Sequence, residues 1–109
     1  MKGYLSSADG VFALSPKVTT IGREGCDLII KSVSVEAQHA VIECNDGENC
    51  YVLQDLNTAQ GTYVNDCRVQ NAAVRLAPGD SIRFGYAGQP YHLQIDSQPA
   101  AVSITLQNF

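Results

Sequence analysis

Apolar and polar residues alternate along most of this chain in short stretches, the period-two pattern of strands that bury one face. Phe12 and Leu14 alternate with Val11 and Ala13 after an Asp9-Gly10 turn. Ala40, Ile42 and Cys44 alternate with His39, Val41 and Glu43. Later, Ile82 and Phe84 alternate with Ser81 and Arg83, and Tyr91, Leu93 and Ile95 with His92 and Gln94. Turn residues punctuate these stretches. Asn45-Asp46-Gly47-Glu48-Asn49 leads into Tyr51-Val52-Leu53-Gln54, and Asn65-Asp66 reads as a two-residue hairpin turn before Cys67-Arg68-Val69. Pro78-Gly79-Asp80 and Gly85 to Pro90 read as further turns. No window shows sustained helical spacing. The pattern predicts an all-β fold, two antiparallel sheets packed face to face as a sandwich, with about ten to eleven short strands.

Composition narrows this to one domain. The chain has 109 residues, 45% apolar and 17% charged, enough for one core and too few for two. Residues 1–96 are expected to form the sandwich and 97–109 a tail or linker, with Val102, Ile104 and Leu106 the candidates for a final docked strand. Seven Lys and Arg against eleven Asp and Glu give a net charge of −4, with no basic run of the kind that nucleic-acid binders carry. No signal-like or membrane-spanning apolar run occurs in the sequence, so an intracellular protein without a membrane or nucleic-acid partner is expected. The four cysteines, Cys26, Cys44, Cys50 and Cys67, form no C-x-x-C pair, and neither they nor His39 and His92 match zinc-ligand spacing. No metal or cofactor is expected. Cys44 and Cys50 flank a hairpin tip and could face one another, but an intracellular setting favours free thiols.

Short motifs then recur in order at loop-like positions: Thr20-Ile21-Gly22-Arg23, Cys26-Asp27-Leu28-Ile29, Gln38-His39-Ala40, Asp55-Leu56-Asn57-Thr58 followed by Gly61-Thr62-Tyr63-Val64-Asn65, and Pro78-Gly79-Asp80-Ser81-Ile82-Arg83-Phe84-Gly85. Each is weak alone. Together, over roughly residues 4 to 95, they resemble a forkhead-associated (FHA) domain, a module that reads phosphothreonine in partner proteins. The resemblance implies a β-sandwich of the FHA/SMAD-like type with a recognition site on its edge loops.

A phosphothreonine adds about −1.5 to −2 charges and three strong acceptors, so its receptor needs a cation and further donors on a rigid mount. The resemblance implies phosphate contacts at Arg23, Glu36 and Ala59, and a grip on the peptide backbone at Gln60. Only Arg23 has the family's residue type, and its planar, permanently charged fork suits phosphate. Glu36 stands where the family usually places a serine. A carboxylate about 4 Å from a phosphate charge would cost about 4 kcal/mol per charge pair at an effective dielectric near 20. Glu36 could turn to solvent, recruit a cation, or pair with Arg23 and plug the site. Ala59 lacks a hydroxyl; Gln60 keeps an amide. Ser34 and Thr58, with Ser32 beyond them, are the nearest hydroxyls that could substitute, and Lys31 is a second cation nearby. The resemblance gives His39 a structural role, ordering the loops from a half-buried position, and Gly22, Gly61, Thr62 and Asn65 read as architectural.

The expected function is a protein-interaction module recognising phosphothreonine-containing peptides. The alternative is the same fold with a degenerate phosphate pocket, binding an unphosphorylated partner or serving as scaffold. An enzyme is not expected, since nothing in the sequence joins Cys67 or Cys50 to His39 as an activated nucleophile.

Overall fold

β-branched and aromatic residues at alternate positions favour a pleated, half-buried surface. In the computed structural model, which describes residues 1–96, these stretches form eleven strands. In chain order they are β1 (Lys2–Ser7), β2 (Gly10–Ala13), β3 (Val18–Gly22), β4 (Leu28–Ile29), β5 (Ala40–Asn45), β6 (Cys50–Asp55), β7 (Thr62–Val64), β8 (Cys67–Val69), β9 (Ala73–Leu76), β10 (Ser81–Phe84) and β11 (Tyr91–Asp96). One sheet has six strands in the order β2-β1-β11-β10-β7-β8, and the other has five in the order β4-β3-β5-β6-β9. No helix occurs among the described residues. The all-β, two-sheet sandwich read from the sequence is the fold found, while the expected tail, 97–109, lies outside the described residues.

The inward positions of both sheets meet between them. Leu5, Ile82, Phe84 and Leu93 from one sheet and Ile21, Ile42 and Leu53 from the other are fully buried. Burying each such side chain is worth about 1.5–3 kcal/mol. The alternate residues Glu43, Gln54, His92 and Gln94 face solvent, as the period-two pattern requires.

One detail differs from the sequence reading. β3 and β4 pair in parallel, with Ile21 opposite Leu28 and Gly22 opposite Ile29, whereas a wholly antiparallel arrangement was expected. Asp27 causes this return: its Oδ2 accepts from Thr20 N–H at 3.0 Å, and its own N–H donates to Thr20 Oγ1 at 2.9 Å, fixing the connection. In the β5–β6 hairpin, Cys44 faces Tyr51 and Cys50 faces Asn45, so the two thiols are not opposite one another. All four cysteines are free.

The Asn65-Asp66 turn has the predicted form. Both residues are left-handed, with φ of 51° and 68°, which matches the right-handed twist of the flanking strands. Asn65 also donates from Nδ2 to Asp80 Oδ1 at 2.9 Å and accepts from Ser81 N–H at 2.9 Å, tying this hairpin to the turn before β10.

Candidate functional site

Four connections meet at one end of the sandwich: those between β3 and β4, β4 and β5, β6 and β7, and β10 and β11. Backbone bonds knit them together. Arg23 N–H donates to Glu36 O at 2.9 Å, Leu56 N–H to His39 O at 3.0 Å, and Gly85 N–H to Gly61 O at 2.9 Å. Gly22 has no alternative residue here, because a Cβ would collide with the carbonyl oxygen of Ala37.

His39 sits where these connections join. It lies just before β5 and is completely buried, not half-buried as expected, with its ring edge-on to Phe84 at 6.1 Å. Its Nδ1 accepts from Glu36 N–H at 3.2 Å, so the proton is on Nε2, which donates to Gly61 O at 2.9 Å. The imidazole therefore bridges the β4–β5 and β6–β7 loops. Both nitrogens are used by backbone, leaving none to act as a base toward a thiol. Cys44 offers no activated thiol either: burial, then the neighbouring Asp46, pushes it up from its ordinary range.

A second anchor lies beneath the β6–β7 loop. Asp55, at the end of β6, is fully buried, and its Oδ1 accepts from Thr58 Oγ1 and Thr62 Oγ1, both at 2.8 Å. Its Oδ2 accepts from Thr58 N–H at 3.1 Å and Asn71 N–H at 2.9 Å. Burial works to raise this carboxyl, but the bonds from Asn71, Thr62 and Thr58 outweigh it and hold Asp55 below the usual carboxylate range. Thr58 Oγ1 in turn accepts from Gly61 N–H at 2.9 Å. The Asp55-to-Thr58 motif is visible in the sequence, but no role for Asp55 follows from the resemblance. The signal was available, since an aspartate three residues before a threonine at a strand end is a turn-forming pattern.

The remaining candidates divide into inner and outer sets. Thr58 and Ser34 are inner: both are buried, and Ser34 Oγ accepts from Ala87 N–H at 3.2 Å and lies 3.1 Å from Ser32 Oγ. Their hydroxyls serve the scaffold. Arg23, Glu36, Ala59 and Gln60 are outer and exposed. Glu36 does not pair with Arg23. Instead its Oε2 accepts from Ala59 N–H at 2.6 Å, linking the β4–β5 loop to the β6–β7 loop through a carboxylate. The ion pairs among the described residues are Arg75–Glu48 and Arg83–Asp66, so Arg23 is not engaged by an acid, Glu24 included.

Arg68, on β8, was not foreseen. Its Nη2 donates to Ala59 O at 2.8 Å, and its stem crosses Gly61, where a Cβ would lie 2.9 Å from Arg68 Nε. Gly61 is thus required twice, for this passage and for its φ of 80°. The place of Arg68 could not be read from the sequence, because it depends on β8 pairing beside β7.

Among the described residues no group of His, Cys, Asp and Glu could hold a metal ion, and no helix is long and apolar enough to cross a membrane.

The FHA domain model matches residues 19–85. Transcriptional regulatory protein EmbR of Mycobacterium tuberculosis is 38% identical over 74 residues, which cover 67% of this chain and 18% of that protein. Its structure in complex with a low affinity phosphopeptide superposes with a TM-score of 0.76 at 30% identity, covering 92% of this chain and 26% of that one. A protein phosphatase 1 regulatory inhibitor subunit homolog of Arabidopsis thaliana is 32% identical over 74 residues, 67% of this chain and 20% of that protein. A further solved structure, from work on phosphothreonine-dependent FHA domain interactions, superposes with a TM-score of 0.77 at 26% identity, covering 90% of this chain and all (100%) of that one. The chain spans between 5% and 20% of the length of the curated relatives it matches.

Proposed function

The chain belongs to the FHA domain family, and from that premise we propose that it is a protein-interaction module binding phosphothreonine peptides, with Arg23 as the anchoring cation. The observation that carries this reading is the arrangement around Arg23. An exposed guanidinium, paired with no acid among the described residues, stands on a turn bonded directly to Glu36 of the neighbouring loop. His39 and Asp55 hold that loop and the 58–61 loop rigidly, so the site costs little to order on binding. The phosphopeptide complex of one relative and the phosphothreonine-dependent interactions studied with another agree with it.

Glu36 sets the strength of binding. Its carboxylate occupies Ala59 N–H, a backbone donor at the position where the family contacts phosphate. An arriving phosphate competes with it for that N–H, and Glu36 must swing away to relieve repulsion. Gln60 stays exposed and keeps an amide to grip the peptide backbone.

The Glu36–Ala59 bond also fits the second reading, a module whose phosphate position is filled by its own side chain and whose partner is unphosphorylated. A narrower likeness, to the N-terminal domain of forkhead-associated domain-containing protein 1, has no support among the relatives above, and the proposal stays at the level of the family.

Fluorescence anisotropy against a degenerate phosphothreonine library and its unphosphorylated twin separates the readings. Binding confined to the phosphorylated set and lost in Arg23→Ala supports the phosphothreonine module. Equal binding to both sets supports the filled pocket.

A further inference from the structure

β8, β7 and β10 are neighbours in the six-stranded sheet, and their registers place Arg68 opposite Tyr63 and Tyr63 opposite Arg83. Residues directly opposite one another on adjacent strands share a face, so these three form a row across the sheet. The row is the outward one, since Thr62, Ile82, Phe84 and Val69 beside them are buried. Both guanidiniums lie against the same ring, Arg68 at 6.0 Å and Arg83 at 5.5 Å from the Tyr63 centroid.

Like charges on one aromatic ring repel, and the row is poorly compensated. Asp66 is its paired acid, at 3.4 Å from Arg83 Nη2, but Asp66 is 90% exposed and its attraction is weakened by water and salt. Arg83 Nε is buried without any hydrogen-bond partner. Arg68 spends one donor on Ala59 O and has a long 3.5 Å contact with Tyr63 OH, leaving most of its five N–H groups uncommitted. The row also touches the recognition loop directly, through that bond to Ala59 and through the stem that crosses Gly61.

We propose that Arg68, Tyr63 and Arg83 form a second anion subsite, which takes a carboxylate or a second phosphate on the same peptide, a few residues from the phosphothreonine. This rests on the reading of the loops as a phosphothreonine site. Arg68 Nη2 lies 2.8 Å from Ala59 O, so the near end of the row is within a residue or two of a peptide held at residues 59 and 60, at about 3.3 Å per extended residue. The planar forks of two arginines suit either anion, and the tyrosine ring holds both in place. The subsite also answers the charge problem at Glu36: attraction at the row offsets repulsion at the loop, so the chain selects acidic or multiply phosphorylated segments.

The test uses the 109-residue chain and a phosphothreonine peptide with neutral flanks. A second set carries one Glu, and a third one phosphoserine, at each position within about four residues of the phosphothreonine. An anion at one preferred position should raise affinity about fivefold to tenfold over the neutral peptide, with a steeper salt dependence. Response to Glu identifies a carboxylate subsite; response only to phosphoserine identifies a second phosphate. The Arg83 side chain bonds to Asp66 and not to the loop, so Arg83→Gln should abolish the preference while leaving the neutral peptide's affinity within about twofold. Arg83→Lys, which keeps the charge and loses the fork, should retain only part of it. A flat response at every position, or a preference that survives Arg83→Gln, overturns the subsite while the phosphothreonine reading stands. If the neutral phosphothreonine peptide binds no better than its unphosphorylated twin, that reading falls, and the subsite stands only if a flanking anion still binds through Arg83.

Discussion

The inner and outer halves of the recognition loops follow different rules. Inside, His39, Asp55, Thr58 and Thr62 are buried and joined by short hydrogen bonds that account for both imidazole nitrogens and both carboxylate oxygens. Outside, Arg23, Glu36, Ala59 and Gln60 are exposed, and three of the four depart from the residue types of the resemblance. A buried polar group left without a partner costs about 1–3 kcal/mol, which restricts the inner set to residues that complete one another. An exposed side chain meets no such demand. Its identity is free to follow the ligand.

That contrast is broken most severely from the inside. Asp55→Ala would strand the donors of Thr58, Thr62 and Asn71, and is expected to cost at least about 3 kcal/mol, seen as a lower urea midpoint. Arg23→Ala, by comparison, should move stability by no more than about 0.5 kcal/mol. Equal losses in the two variants would erase the distinction between mount and contact.

The pH dependence of stability sharpens the inner half. Asp55 is held below its unfolded value, so its contribution is complete above the ordinary aspartate pKa of about 3.9 and is lost as pH falls through the lower folded value. Acid unfolding followed by circular dichroism should show this loss below about pH 4, and Asp55→Asn should remove that part of the slope.

On the outer half the effects appear in binding. Loss of the Arg23 guanidinium should weaken phosphothreonine binding about tenfold to a hundredfold, the range for a hydrogen bond to a charged group. Glu36→Ser should act in the opposite direction and strengthen it, by relieving a like-charge contact. An unchanged affinity in Glu36→Ser would mean that the carboxylate already stands clear of the ligand. The smallest effects concern thiols: Cys67, exposed on β8, should react with a thiol reagent well before buried Cys50, with little consequence for peptide binding.

Much of the inner architecture was legible in the sequence because it is local. Alternation placed Ile42, Ile82 and Leu93 inside, and Asn65-Asp66 announced its own turn. Arg23 and Glu36 were located by motif order. What escaped depends on chain segments distant in sequence. The partner of Glu36 lies on the β6–β7 loop, and nothing local to residue 36 points to Ala59 N–H. The full burial of His39 follows from Phe84 and Gly61 closing over it. The Arg68–Tyr63–Arg83 row exists only because β7 lies between β8 and β10, an order that no period-two pattern encodes. Ser34 and Thr58 looked available because hydroxyl residues in a loop usually face water; their partners Ala87 and Asp55 turn them inward.

The exchange at Ala59 tests the account most directly. A 15N amide NMR titration of the chain with the tightest-binding phosphothreonine peptide of the library, and with its unphosphorylated twin, would follow it residue by residue. The account predicts that the Ala59 amide, released from Glu36 and taken by phosphate, shifts strongly together with Arg23 and Gln60, while Thr62 stays nearly still and the twin moves none of them. An Ala59 amide unmoved at saturation, or moved equally by both peptides, would contradict it.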